Sequence, residues 1–598
     1  MRAQARTAPP PSLRTSLLTI LLTLLPLPAL AAARGSEPAA APLFTVHGRL
    51  STGIVYRLED ADPRLPFALN GAAAGVPALN GTGANADDAN LNFRRHDAVS
   101  RTLAASVELQ AHYRNTRALL RVKAWRDNAL RNDAHDWGSV ANGYRAGAPL
   151  SDAGAPPLSR FAGVVVGDAW VEQVVDAGRA RLLARIGQHS LDWGNNTGFG
   201  GGLEVLAPRD LPASRRAGAT AADLKVPLPQ LLVRAEWDRN GAVELFYQGR
   251  FRPNALDMCG TFFAPTDYAA DGCDKVMSGA PAASDRARVA LGAYLKRLPT
   301  PKPRAAQFGV ALRWKLAGGA VDVGAYHARY TSRTAVPGLR KSTRTGPAYV
   351  VGDPDGRNLA FFTEYPQAIH IDALTFAHRA GAFGELSYRP NMPLLFGPGD
   401  GLPPFISATA PAQLRQLADA TAPGGLFHGY ERYPMWQAQL GWQRPLAAGG
   451  IGWAVEVVAK HVANLPDPAL RRYGRADVFG AGPVHGVCAV NMTVPALQCS
   501  ARGYVSRNAA AWRARVETRL PPLANGMTAS VFASLVHDVH GWSADALINQ
   551  GRRSASVGLR AELDQRYLFE ATWLPVWGGD YNAGADRDTL ALAVGIKF

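Results

Sequence analysis

A two-residue alternation of apolar and polar side chains recurs along almost the whole chain. Phe308, Val310, Leu312 and Trp314 share one parity, while Ala311, Arg313 and Lys315 share the other. Trp512, Ala514, Val516 and Leu520 alternate with Arg513, Arg515, Glu517 and Arg519. The same pattern sets Ala555, Val557, Leu559 and Ala561 against Ser554, Ser556, Arg560 and Glu562. Successive side chains of a strand point to opposite faces, so each segment has one oily face and one polar face.

Eighteen candidate strands follow: 44–57, 99–113, 117–127, 164–176, 180–189, 231–238, 242–249, 307–315, 320–330, 369–378, 382–389, 435–444, 451–462, 509–520, 526–537, 553–564, 567–575 and 588–598. Two architectures accept such ribbons. A sandwich or propeller buries the oily face in a core, whereas a membrane barrel turns it to lipid and keeps the polar face around a lumen. The gaps choose between them. Turns such as 114–116, 177–179 and 379–381 alternate with stretches such as 58–98, 128–163, 190–230, 250–306, 331–368, 390–434 and 463–508. Short turns on one rim and long loops on the other mark an outer-membrane barrel, and a sandwich has no reason to segregate loops by parity. Backbone groups in lipid must be paired internally, so the sheet has to close. The expected fold is all-β: a closed antiparallel transmembrane β-barrel of about 18 strands (16 as the alternative), with long extracellular loops partly folded into the lumen.

The first residues predict export. Arg2, Arg6 and Arg14 precede an apolar run from Leu17 to Leu30, followed by small-residue cleavage sites around Ala31–Ala33. This reads as a signal peptide over 1–33, leaving 34–598 as the barrel. The run is short for a membrane anchor, and no other apolar stretch approaches the ~20 residues that a helical span needs. Cys259 with Cys273 and Cys488 with Cys499 read as two local disulfides in an oxidising compartment. Neither pair has CxxC spacing, and CxxCH is absent. At the other end Leu590, Leu592, Val594, Ile596 and Phe598 share a face. A last strand ending in an aromatic residue resembles the assembly signal of outer-membrane proteins. Phe598 is therefore expected to engage the barrel-assembly machinery, with outer-membrane lipid as the surrounding partner.

The chain carries a formal net charge of +16, three units of which lie on the leader arginines. Nucleic acid is a poor explanation, because the basic residues are spread through strands and form no patch. Arg313, Lys315, Arg513, Arg515, Arg519, Arg560 and Lys597 take the polar parity and are expected to face the lumen. Rings of Arg and Lys favour anions. Pairing with Glu108, Glu517, Glu562 and Glu570 would instead make them interior filling. The loop over 190–230 is the best inward-folding candidate, with Trp193, Arg209, Arg215, Arg216 and Lys225 as constriction residues and Gly198–Gly202 as a flexible stretch. The analogy is with general porins, whose third loop narrows the pore. In loop 250–306, Phe262, Phe263 and Tyr268 offer aromatic surface for an oily solute.

Catalytic motifs are missing: there is no GxSxG, HExxH, Walker loop or GxGxxG entering a helix. No catalytic residue, cofactor or metal ligand set is assigned. Asp87 and Asp88 with Asn90, and Asp353 with Asp355, suit calcium or ordinary turns equally well. His461, His537 and His540 read as rim histidines.

Several stretches resemble one family of Gram-negative outer-membrane proteins, domain of unknown function 1302. They are Asn85-Ala-Asp87-Asp88-Ala-Asn-Leu91-Asn92-Phe93; Arg185-Ile-Gly187-Gln188 with Trp193-Gly194; Leu245-Phe-Tyr-Gln248; Cys259-Gly-Thr-Phe-Phe263 with Gly272-Cys273-Asp274; Glu364-Tyr365-Pro366; Glu385-Leu-Ser-Tyr388-Arg389-Pro390-Asn391; Gly551-Arg552-Arg553; and Asp586-Arg587-Asp588. The Cys259 block is the most specific, and His189 after Gln188 departs from the expected aliphatic residue. The resemblance implies an outer-membrane barrel that handles hydrophobic or aromatic compounds and has no established catalytic residues. The expected function is a channel for passive uptake of hydrophobic or aromatic small molecules, anionic ones included. The alternative is a non-transporting surface barrel with an adhesion or envelope-structure role, and a membrane-embedded lipid hydrolase is disfavoured by the missing nucleophile motif.

Overall fold

The computed structural model describes residues 43–138, 143–194, 198–238, 240–278, 283–406, 410–446, 450–488, 494–521 and 525–598, so the expected leader lies outside the described residues. Eighteen strands form the wall: β1 Leu43–Arg57, β2 Ala98–Tyr113, β3 Thr116–Asp127, β4 Ala162–Ala177, β5 Ala180–His189, β6 Leu228–Trp237, β7 Gly241–Gln248, β8 Gln307–Leu316, β9 Val321–Tyr330, β10 Ile369–His378, β11 Ala382–Leu395, β12 Tyr430–Arg444, β13 Ile451–Val462, β14 Asn508–Arg519, β15 Met527–His540, β16 Arg553–Leu563, β17 Tyr567–Leu574 and β18 Thr589–Lys597. Each pairs antiparallel with its sequence neighbours, and β1 pairs with β18 from Arg49↔Lys597 to Arg57↔Thr589, which closes the ring. A short segment, Val576–Trp577, continues the β17 edge beyond Pro575 and stays paired to β16. The count is therefore 18, and the sixteen-strand alternative falls away.

Two strands outrun their sequence expectation. β11 continues past residue 389 to Leu395, and β12 begins at Tyr430, five residues before the expected start. Prolines hid these ends. The ladder between the two strands shifts register between Arg389 and Met392, beside Pro390, and Pro434 lies in the partner strand. Proline cannot donate to a ladder and is confined to bulges, edges and strand ends. A bulge lets the pairing resume on the far side.

The alternation assigns the faces. Phe308, Leu312 and Trp314 are exposed on the outside, while Gln307, Gly309 and Ala311 between them are buried inside. Outward rings form a girdle at each end of the apolar band. Trp237 lies against Trp314 at 5.5 Å on the short-turn side, and Tyr388 stacks on Trp436 at 4.3 Å on the long-loop side. Amphipathic rings favour the membrane–water interface. No helix among the described residues is long and apolar enough to cross a membrane. Val457 lies on the outward face between these girdles, 48% exposed. Val457→Arg is expected to cost about 2–4 kcal/mol, the depth-dependent penalty for a basic residue near the bilayer midplane. Equilibrium unfolding from lipid bilayers checks this, and Ala511→Ser on the lumen side should cost far less.

Above the wall the long loops pack into a crown with its own buried clusters. It contains a small sheet of Val336–Arg340, Ala360–Glu364 and Leu426–Phe427, and a hairpin of Lys275–Met277 with Tyr294–Lys296. Both disulfides form, Cys259–Cys273 with Cα atoms 6.2 Å apart and Cys488–Cys499 with Cα atoms 5.5 Å apart. A buried ion pair at 3.0 Å ties Arg57, at the top of β1, to Asp586 in the last long loop.

Candidate functional site

In the loop between β5 and β6, residues 190–194 and 198–227 turn inward and cross the lumen. On one side Leu191, Trp193, Leu203 and Leu206 pack into a cluster with inward side chains of β7 to β10: Phe246, Ala311, Tyr326 and Ile371. The Trp193 indole donates to Glu244, and its ring meets Phe246 at 4.9 Å and Tyr326 at 5.3 Å. The glycine stretch then runs against β11, β12 and β14. A Cβ on Gly202, where φ is +53°, would lie 1.9 Å from Glu385 Oε1. One on Gly198 would lie 1.3 Å from Arg513 Nη1. These glycines serve close approach to the wall, which flexibility alone does not explain. Leu203 N–H donates to Glu385 Oε1 at 2.8 Å and fixes the crossing.

The far half of the loop is anchored to β3. Asp210 caps the helical turn Leu211–Ser214, accepting from Ala213 N–H at 3.0 Å, while its other oxygen accepts from Lys123 Nζ at 2.9 Å. An Asp in this position satisfies a free N–H of the first turn, and the charge pair fixes where the turn points. Beyond it, Ala217 lies close to Gly53 of β1, and Gly218 close to Ala593 of β18. The loop thus spans from one wall to the opposite one.

This anchoring delivers Arg215 and Arg216 to a small pocket at the junction of lumen and crown. Its walls include Phe161, Met258, Phe262 and Phe263, with Ser100, Asp127 and Asp257 as polar neighbours. Arg215 lies over the Phe263 ring at 4.5 Å, with Nε 3.5 Å from Asp257 Oδ2. Arg216 lies over the Trp125 ring at 4.4 Å and has no ion-pair partner among the described residues. Burial lowers its pKa from the ordinary arginine range, opposed by the surrounding carboxylates Asp210, Asp127, Asp257 and Asp223. Burial likewise raises the Asp257 carboxyl, which Arg215 opposes. A guanidinium over an aromatic face, with donors to spare, suits a planar carboxylate.

The other constriction candidates are otherwise occupied. Arg209 pairs with Glu204, and Lys225 with Asp192 at 2.6 Å. Phe262 is buried in the crown between Phe93 and Phe263, and Tyr268 lines a separate apolar cleft with Phe361, Phe396 and Phe427. Sequence reasoning missed Trp125 and Phe161. Trp125 carried a readable signal: it takes the parity of Arg117, Arg121 and Lys123, an aromatic among charges on the polar face.

The wall bases all take the inward parity. Arg313 lies 3.7 Å from Glu244, Arg515 3.0 Å from Glu517, Arg560 3.1 Å from Glu570, and Lys597 2.9 Å from Glu562. Lys315 lies across the ladder from Asp322, Arg513 across from Glu456, and Arg519 across from Ser530. Charges alternate around the wall, with Arg121 between Glu108 and Asp168 and Glu172 between Arg117 and Arg185. The turn aspartates at Asp353 and Asp355 serve their own loop, accepting from Asn358 and Arg344. His461 bonds Asn508 at the rim.

A closed ring of 18 antiparallel strands with an apolar exterior, a charged interior and one loop folded across the lumen defines a membrane-spanning barrel of porin-like form. The chain belongs to the family described as protein of unknown function DUF1302, whose model matches residues 12–598. No curated protein matches it. Among solved structures it is similar to Acinetobacter baumannii OccAB4, at 8% identity over 94% of this chain and 98% of that one, with a TM-score of 0.40. Pseudomonas aeruginosa OccK9 (OpdG) is similar at 8% identity over 93% and 97%, with a TM-score of 0.38. The outer membrane protein opdK from Pseudomonas aeruginosa gives 9% identity over 93% and 99%, with a TM-score of 0.37. Likeness at this level says nothing of solute or mechanism.

Proposed function

We propose that this barrel resides in the Gram-negative outer membrane and admits hydrophobic or aromatic small molecules, carboxylated ones included, by passive diffusion. One observation carries the reading: Arg216, without an ion-pair partner among the described residues, lies on Trp125 in a pocket walled by Phe161 and Phe263. Such a pocket offers an oily solute ring contact and offers its carboxylate a cation. The crown supports the same class of solute, because the cleft around Tyr268, Leu339, Phe361 and Phe427 is almost wholly apolar. Below the crossing loop the wall bases are exposed, with Arg515 and Arg560 each at 44% and Lys597 at 45%, so the passage beyond the pocket is hydrated. No bond is made or broken. The protein supplies a route along which Arg216 offers a cationic contact.

The test is uptake by liposomes of an aromatic acid and of a neutral sugar, with single-channel recording alongside. Arg216→Gln is expected to cut uptake of the acid about tenfold, roughly what losing a hydrogen bond to a charged group costs, and to leave the sugar unchanged. Equal uptake of both solutes by the parent and the variant would end the carboxylate assignment. A protein that neither conducts nor takes up either solute would leave the surface-barrel reading in its place.

A further inference from the structure

The crown also holds a group of buried carboxylates that the passage does not use. We propose that Asp87, Asp88 and Asp267 bind one calcium ion, which ties loop 58–97 to loop 249–306. One carboxylate oxygen from each of the three lies within 4.8 Å of the others. Calcium takes oxygen ligands at about 2.3–2.6 Å, so oxygens around one ion stand at most about twice that radius apart. The three fit a single coordination sphere. Their exposures are 0% for Asp87, 1% for Asp88 and 3% for Asp267, so water cannot do the work of neutralising them.

A second observation points to a missing partner. Asp88 Oδ1 is buried with no hydrogen-bond partner, although Tyr144 bonds the same carboxylate. Asn90 Oδ1, in the same short helix, is also buried without one. Native proteins rarely leave buried acceptors orphaned, and an unplaced ion is one standard reason. The charges acting on Asp87 and Asp88 are themselves carboxylates, Asp267 and Asp285. The nearby cation Arg288 is engaged by Asp285 at 3.3 Å. Burial strips all three carboxylates of water, and the charge of Asp285 repels each of them. A divalent ion removes both penalties together.

Donors already fix the frame around the ion. Phe67 N–H bonds Asp87 Oδ2 at 2.8 Å, Asn70 reaches Asp87 at 3.2 Å, and Asp87 N–H bonds Asp267 Oδ2 at 3.3 Å. A site preorganised in this way needs little loop ordering on binding.

Terbium, an oxygen-seeking ion with calcium-like coordination, gives a direct readout on the full chain in detergent. Tyr144 bonds Asp88, and its ring lies 5.3 Å from Trp137, so these rings excite an ion in the site. Expected is saturable sensitised emission from one ion per chain, displaced by calcium. Asp88→Asn should weaken binding on the order of a hundredfold, since affinity follows the number of charged ligands. Asp353→Asn, in an unrelated turn, should leave it unchanged. Should Asp88→Asn fail to fold, the parent chain answers alone: chelator should speed proteolysis within loop 58–97, and calcium should reverse that. Absence of saturable emission from the folded parent, or emission equally strong from folded Asp88→Asn, would overturn the site and leave three carboxyls that share protons.

Discussion

Excising Leu191–Val226 and joining Ser190 to Pro227 through Asn-Gly is expected to raise single-channel conductance on the order of tenfold, since an unobstructed barrel of this strand number leaves an aqueous channel. The cut is geometrically mild. His189 and Leu228 face each other at the end of the β5–β6 ladder, so a tight turn closes the hairpin without moving either strand. The effect is large because of where the loop goes. It packs on β7–β10 through Trp193 and Leu203, passes Glu385 and Arg513, and reaches Gly53 and Ala593 on the opposite wall. Removing it also frees Glu244, Glu385 and Lys123 to face water, so the added conductance should come with altered ion preference. Retained heat-modifiable migration of the variant on a gel shows that the barrel itself survives. An unchanged conductance would mean that the crown, and not this loop, limits flow.

The wall was legible because lipid imposes a simple rule on sequence. All eighteen strands follow from the two-residue period together with the parity of the gaps, and most of their ends fall within a few residues of expectation. The missed strand ends lie at Pro390 and Pro434, where the ladder shifts register and then resumes. The passage was legible in part. That residues 190–194 and 198–227 turn inward could be argued from the glycines and bases in that stretch, but pairing depends on partners far away in the chain. Arg209 is taken by Glu204 and Arg215 leans on Asp257, whereas Arg216 reaches Trp125 because Asp210 is anchored by Lys123. No local pattern distinguishes Arg215 from Arg216. The carboxylate cluster shows the same limit: Asp87-Asp88 is visible as a pair, while Asp267 joins it only through the packing of two loops.

The crown should be the weakest part of the molecule to charge removal, and Asp400→Ala the variant that shows it. Arg472 and Asp400 join loop 463–507 to loop 396–429 with both side chains 1% exposed. Two parallel bonds connect them, Nε to Oδ2 at 2.9 Å and Nη2 to Oδ1 at 2.5 Å. The guanidinium also donates to the carbonyls of Pro483 and Gly482 and lies over the Tyr504 ring at 4.9 Å. Burial works against its charge, and Asp400 outweighs burial, holding the Arg472 pKa above its ordinary value. Truncating Asp400 leaves a buried cation whose remaining partners are neutral, at a cost of about 3–5 kcal/mol. Because the pair braces loops and not strands, the loss should appear as rapid proteolysis between residues 396 and 507 while the barrel keeps its heat-modifiable migration. Asp400→Asn separates the two contributions, since it keeps an acceptor and loses the charge, and it should fall between the parent and Asp400→Ala. Replacing both partners with apolar residues of similar size should recover most of the stability, because an apolar pair carries no desolvation penalty. If Asp400→Ala resists protease as well as the parent does, the crown draws its rigidity from its hydrophobic clusters and the disulfides, and this ion pair contributes little.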